Sequence, residues 1–215
     1  MEFNLKNRKY TLQVGFGQGL TRGVVILAGI SIVVFIITQS NRDLFYPLFG
    51  FVPSYALERL MLWQFITAIF MHSNVNHLVF NLFTLYMFGG AVEKALKTRG
   101  FFIYFLICGA GGFILTTILW LFGIIQNSVC VGASAAIYGL LVAFSLLYPN
   151  QKVLLYFIAP MQAKWLALIF GCFELLFAIK DGGISQIGHL GGIIAGLLYF
   201  IHVRGIGFIK GSMNA

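Results

Sequence analysis

Four polar side chains lie inside otherwise apolar stretches of this 215-residue chain: Ser134, His189, His77 and Asn81. A serine hydroxyl is a weak nucleophile until a base takes its proton. Imidazole titrates near neutral pH, which makes His189 the candidate base for Ser134. Attack on a peptide carbonyl places negative charge on its oxygen, and that oxyanion needs donors already in position. Ser134 opens an apolar run in Gly132-Ala133-Ser134-Ala135-Ala136. This is a predicted helix start, where backbone N–H groups lack intrahelical acceptors. Those groups, with His77 and the Asn81 amide, are the candidate oxyanion donors. His77 and Asn81 are four residues apart and share one helix face. Tyr138 follows Ser134 by one turn on the same face. Glu93 lies toward the far end of its apolar run, and Glu174 falls near the middle of another. The reading is therefore a Ser134–His189 dyad, with Tyr138 orienting the imidazole by ring packing in place of a carboxylate.

The elements that must position these groups are set by composition. Apolar residues make up 60% of the chain and charged residues 9%, with a mean hydropathy of +0.92. Too little charge is present to cover a water-facing surface, so the solvent is lipid. Six hydrophobic spans are predicted, at 23–40, 76–96, 100–123, 133–149, 165–180 and 186–203. Each approaches the ~20 apolar residues that a crossing needs. Residues 41–75 hold Pro47, Pro53 and Trp63 and an amphipathic stretch at 55–70, the pattern of a structured loop lying partly in the interface. Gly188, Gly192 and Gly196 form a small-residue stripe on the last span beside His189, and Gly132 and Gly139 flank Ser134.

Lysine and arginine read the topology. With the N-terminus inside, eleven basic residues fall on the inner side and only Arg42, Arg59 and Lys180 on the outer side. Both termini are then cytoplasmic, and spans two, four and six all start outside. Ser134, His189, His77 and Asn81 share one depth in the outer half of the bilayer. The basic run Lys6, Arg8 and Lys9 precedes a span without a small-residue cleavage site, which is read as a retained helix. A bacterial plasma membrane is the expected setting.

Other function classes fit less well. The net charge of +8 is dispersed over several loops, against a nucleic-acid surface. Cys108, Cys130 and Cys172 have no CxxC spacing; Cys108 and Cys172 read as packing residues. His72 and His77, five apart and joined by no Cys or carboxylate, make a poor metal pair. No metal or cofactor is called for. Taken singly, Ser134 also reads as a packing residue and His189 as an interfacial histidine, and Glu174 as a structural hydrogen-bonding group. Their shared depth is what favours chemistry. A small transporter remains a rival, although no inverted repeat is visible.

The same residues resemble the rhomboid family. His72-Ser73-Asn74-Val75-Asn76-His77-Leu78-Val79-Phe80-Asn81 is similar to its second-helix motif, Gly132-Ala133-Ser134 to its nucleophile motif, and His189-Leu190-Gly191-Gly192 to its base motif. Tyr138 holds the family's aromatic position, and Gly89-Gly90-Ala91-Val92-Glu93 looks like the end of its second helix. The resemblance covers about 23–203. It implies an all-α integral membrane protein with a six-transmembrane-helix bundle. Cytoplasmic tails 1–22 and 204–215 would flank the 23–203 core, and 41–75 would be a membrane-embedded first loop. It implies a serine endopeptidase acting on transmembrane protein substrates within the lipid bilayer. Ser134 and His189 would be the dyad, and His77, Asn81 and the Ser134 N–H the oxyanion hole. His72 would help hold a water-filled cavity. A catalytically inactive relative that binds membrane clients is the alternative. Three departures from the family pattern stand out: Ala135 where Gly is usual, Gln64 where Arg is common, and Gly188 where Ala is common.

Overall fold

In lipid, every backbone N–H and C=O must be satisfied by the chain itself, and long apolar runs therefore become helices. The structure is a computed structural model that describes residues 20–155, 159–181 and 183–214; most of the tail 1–22 lies outside that range. Helix α1 is Arg22–Ser40. Three short helices follow, α2 Arg42–Phe49, α3 Pro53–Glu58 and α4 Gln64–Phe70, and these occupy the predicted first loop. Then come α5 Val75–Thr84, a π-helical turn Leu85–Gly89 and α6 Gly90–Leu121. The later elements are α7 Ser134–Leu147, strands β1 Lys152–Leu155 and β2 Ala159–Gln162, α8 Lys164–Asp181, α9 Ile184–Arg204 and α10 Ile206–Asn214.

The segment Val75–Leu121 is not one rod. Lys97 has φ 62°, outside the helical region. A straight helix would set Gly89 and Phe101 about 18 Å apart. Instead the Phe101 ring comes within 3.5 Å of the place a Gly89 Cβ would take. The chain doubles back at Lys97 into two arms, as two separate apolar runs require. By length and composition α1, Val75–Leu121 and α9 are able to cross a bilayer, and α7 is a shorter apolar helix.

Helix α7 is the centre. All but Ser134 and Tyr138 of its 14 residues are buried, with α6 and α9 packed along it. Fourteen residues rise about 21 Å, less than the ~30 Å of hydrocarbon, so the residues flanking α7 must complete any crossing it makes. Two findings depart from the expected all-helical core with plain tails. Strands β1 and β2 pair antiparallel, with Lys152 opposite Gln162 and Leu155 opposite Ala159. The tail 204–215 holds α10, tied to the bundle by Ser212 Oγ donating to Leu146 O at 2.8 Å and by Phe208 stacked on Phe200.

The first loop and the N-terminal helix are fixed by buried polar groups. Gln64 is fully buried; its amide nitrogen donates to Pro47 O at 2.8 Å, and its oxygen accepts from Val52 N at 3.0 Å. The loop's polar contact is thus kept by Gln64 in place of an arginine. Thr21, the N-cap of α1, does not cap its own helix. Glu93 of α6 does so from across the bundle: it accepts from Gly23 N at 2.9 Å, from Val24 N at 3.2 Å, from Thr98 Oγ1 at 2.7 Å and from Thr21 Oγ1. A carboxylate here also meets the positive end of the α1 dipole. Glu93→Ala is expected to destabilise the protein by about 2–3 kcal/mol, because buried donors lose a charged acceptor. Thermal unfolding in detergent reads this as a lowered midpoint; an unchanged midpoint would mean that α1 is held by apolar packing alone.

Candidate active site

Ser134 is the first residue of α7. It follows Ala133, whose side chain cannot cap, so the N–H groups of the first turn keep their polarity for whatever sits before them. Gly132 makes the turn into the helix at φ +128°, a conformation suited to glycine. It has a second reason to be glycine: a Cβ there would lie 2.5 Å from the His77 ring. His77 can therefore lean over the start of α7.

His189, on α9, is 2.8 Å from Ser134 Oγ through Nε2. The two helices come this close because Gly192, one turn along α9, lies against the backbone of Ala135, with no room for a side chain. Further down, Gly196 lies beside Gly139 and the Tyr104 hydroxyl, and that hydroxyl donates to Gly139 O at 2.6 Å. Gly188, the outer member of the stripe, contacts nothing at its Cβ position and lines the cavity instead. The Ala135 methyl points at Gly112 of α6, where a Cβ would be 2.6 Å away. Space for the methyl comes from Gly112, and its buried position leaves Ser134 accessible.

A cavity of about 510 Å³ opens beside these groups, with Ser73, His77, Gly132, Ser134, Gly188 and His189 in its wall. Its wall is mixed polar and apolar, as a site for an extended peptide and water requires. Cys130 also lines it, held by the Phe51–Cys130 backbone bridge. Burial pushes the Cys130 thiol up to about 12, so it stays protonated and is no rival nucleophile.

The remaining expected residues separate into those at the wall and those behind it. His77 is at the wall, and its Nδ1 is 3.1 Å from Ser73 Oγ. A hydroxyl donating to Nδ1 leaves Nε2–H as a donor on the side of Gly132. Ser73 was missed from the sequence; its spacing of four before His77 was the available signal. His72 stands behind His77, with no exposed surface. The two rings meet edge to face at 5.1 Å, and His72 Nδ1 is 3.2 Å from Phe70 O. Burial pushes the His72 imidazole down to about 4, helped by neighbouring His77, so it is neutral at physiological pH. Asn81 is buried one turn further in, and its amide nitrogen donates to His77 O at 2.9 Å. It does not form part of the cavity wall.

Glu174 is where the structure departs most from the sequence reading. The sequence reading sets it near mid-membrane as a structural hydrogen-bonding group, apart from the dyad. It does accept a hydrogen bond, but its Oε2 also lies 3.1 Å from His189 Nδ1, at an angle off a straight hydrogen bond. The other oxygen accepts from the Tyr138 hydroxyl. Tyr138 also stacks on the His189 ring, with centroids 4.4 Å apart and planes 15° apart. The imidazole is thus held both by ring packing and by a carboxylate. Cys172, on the same helix, is exposed and packs in no core. Among the described residues no group of three His, Cys, Asp or Glu side chains is arranged to hold a metal ion.

Comparison with known proteins agrees with this architecture. The family model of the Rhomboid domain matches residues 59–205. The chain is 39% identical over 99 residues to "Rhomboid-like protein 11, chloroplastic" of Arabidopsis thaliana, across 46% of this chain and 34% of that protein. It is 31% identical over 146 residues to "Putative rhomboid protease YdcA" of Bacillus subtilis, across 66% of this chain and 68% of that one. It is 31% identical over 137 residues to "Rhomboid protease GluP" of the same species, across 62% and 24%. The chain spans only 34–45% of the length of several Arabidopsis relatives. Since the family match takes in more than half of the chain and every helix that frames the cavity, this integral membrane protein belongs to the rhomboid family.

Proposed function

We propose that the chain is a serine endopeptidase that hydrolyses peptide bonds in or near the transmembrane segments of other membrane proteins. The observation that carries this reading is the 2.8 Å contact between Ser134 and His189 at the uncapped start of α7, beside a cavity. Protease-named relatives support it.

In the proposed reaction, Ser134 Oγ bonds to the carbonyl carbon while its proton passes to His189 Nε2. The carbonyl π pair moves to oxygen. The Ser134 N–H and His77 Nε2–H stabilise that oxyanion, with the Asn81 amide one turn behind. The C–N bond then breaks, and His189 returns its proton to the leaving nitrogen. Water next attacks the acyl-Ser134 ester, giving a proton to His189; the bond from the acyl carbon to Oγ breaks, the carboxylic acid leaves, and His189 returns the proton to Ser134 Oγ. No cofactor enters.

The bundle of 23–203 is proposed to cross the bilayer six times, through α1, the two arms of Val75–Leu121, α7, α8 and α9. The basic residues put both termini on the cytoplasmic side, and a bacterial plasma membrane is the proposed setting. The loop 41–75 lies at the outer interface, and 1–22 and 204–215 flank the core. Substrates are single-span proteins whose helix unwinds to present an extended strand, because a helical peptide hides its carbonyls in hydrogen bonds.

Purified protein in detergent is expected to react with a fluorophosphonate probe, and Ser134→Ala and His189→Ala are expected to lose all labelling while keeping the parent unfolding midpoint. A folded parent that does not label would favour a client-binding member that does not cut. His77→Ala is expected to lower peptide cleavage about 10²–10³-fold, mostly in kcat, as for loss of one oxyanion donor. An unchanged kcat would remove His77 from the oxyanion hole.

A further inference from the structure

The His189 ring has a partner at each nitrogen, and the two partners differ in kind. Nε2 meets the Ser134 hydroxyl at 2.8 Å, and Nδ1 meets the Glu174 carboxylate at 3.1 Å. An ionised carboxylate only accepts hydrogen bonds. Its presence at Nδ1 therefore favours the tautomer with the proton on Nδ1. That tautomer leaves the Nε2 lone pair free to receive the Ser134 proton. The opposite tautomer would set a lone pair against the carboxylate and a proton against the hydroxyl.

Tyr138 holds Glu174 in this task. Its hydroxyl donates to Oε1, which leaves Oε2 for the imidazole. Its ring lies flat on the same imidazole. Tyr138 is one turn after Ser134 on α7, so Ser134, His189, Glu174 and Tyr138 close a ring across α7, α9 and α8. The side chains of His189 and Glu174 are only 18% and 13% exposed, where water weakens their interaction little. The contact is off line while the imidazole is neutral. Such contacts tighten as charge develops on the ring during attack.

We propose that Glu174 is a positioning residue that fixes the reactive tautomer of His189 and stabilises the imidazolium formed when Ser134 attacks, with Tyr138 as its clamp. The proposal rests on the serine-protease reading and extends the dyad to a Ser134–His189–Glu174 arrangement. The proton path is unchanged: it runs from Ser134 to Nε2 and then to the leaving nitrogen, and Glu174 takes up no proton.

The test uses the full chain in detergent micelles, with fluorophosphonate labelling rates, peptide kcat and KM, and 15N spectra of the imidazole nitrogens. His189 is assigned by difference from His189→Gln. The parent is expected to show Nδ1 protonated and Nε2 bare. Glu174→Gln, whose amide can donate to Nδ1, is expected to shift the ring to the opposite tautomer. Its labelling rate and kcat are expected to fall about 10²–10⁴-fold with little change in KM, as when a triad carboxylate becomes an amide. Glu174→Asp is expected to restore the parent tautomer and part of the rate. Tyr138→Phe keeps the ring stack and is expected to slow labelling to a smaller degree. Glu174→Gln that folds, labels at the parent rate and keeps the parent tautomer would overturn the proposal. If Glu174→Gln does not fold, parent rates in both Glu174→Asp and Tyr138→Phe would overturn it. A folded parent that does not label overturns the protease reading instead. The tautomer signal needs no turnover and then decides the positioning role alone.

Discussion

The backbone of Gly192 rests on the backbone of Ala135, and the distance between α7 and α9 at that point governs much else in the molecule. A methyl at Gly192 would push the helices apart, and the 2.8 Å reach between His189 and Ser134 would open with them. In lipid, water cannot drive helices together; close approach of small residues lets dispersion and hydrogen bonds do so. The same device recurs at Gly112 and Gly191, which bring α6 against α9, and at Gly139, which lies against Cys108. These contacts clamp α7, so its N-terminus is held as a fixed point for chemistry.

Polar groups inside such a bundle carry a desolvation cost unless they are satisfied, and this protein uses each of them to join parts that apolar packing would not orient. Glu93 joins α6 to the start of α1. Gln64 joins α4 to Pro47 of α2 and to Val52 at the start of α3. Tyr148 of the α7 C-terminus donates to Ala91 O on α6. Near the start of α7, Glu174 and Tyr138 bind α8 to α7 beside His189. Each is a directional tie in a setting where the hydrophobic effect supplies little direction.

The cavity lies at the first residue of α7, a helix of 14 residues packed among longer ones. The first turn of α7, His77 and Ser134 line it, which sets polar groups among the apolar residues of its wall. Gly132 and Gly188 keep it open, the one by admitting His77 and the other by contributing no side chain.

Much of this was readable from residue order. The apolar runs predict helices within one or two residues of α1, α7, α8 and α9, because a chain in lipid has few alternatives to helix. Ser134 and His189 could be paired because both begin spans that run in the same direction. What the sequence could not supply was rotation and tilt. Whether Glu174 faces lipid, a neighbouring helix or the imidazole depends on how α8 turns about its axis, and packing against α7 and α9 decides that. For the same reason Asn81, on the expected face, points back to its own helix and not into the cavity. The pairing of β1 with β2 and the docking of helix α10 against α7 and α9 depend on tertiary contacts. Sequence alone therefore determined which groups stand at the starts of apolar helices, since that follows from residue order; the tertiary structure alone decided which of them touch, Glu174 and His189 included, since contact is set by helix rotation and tilt, which side-chain packing fixes.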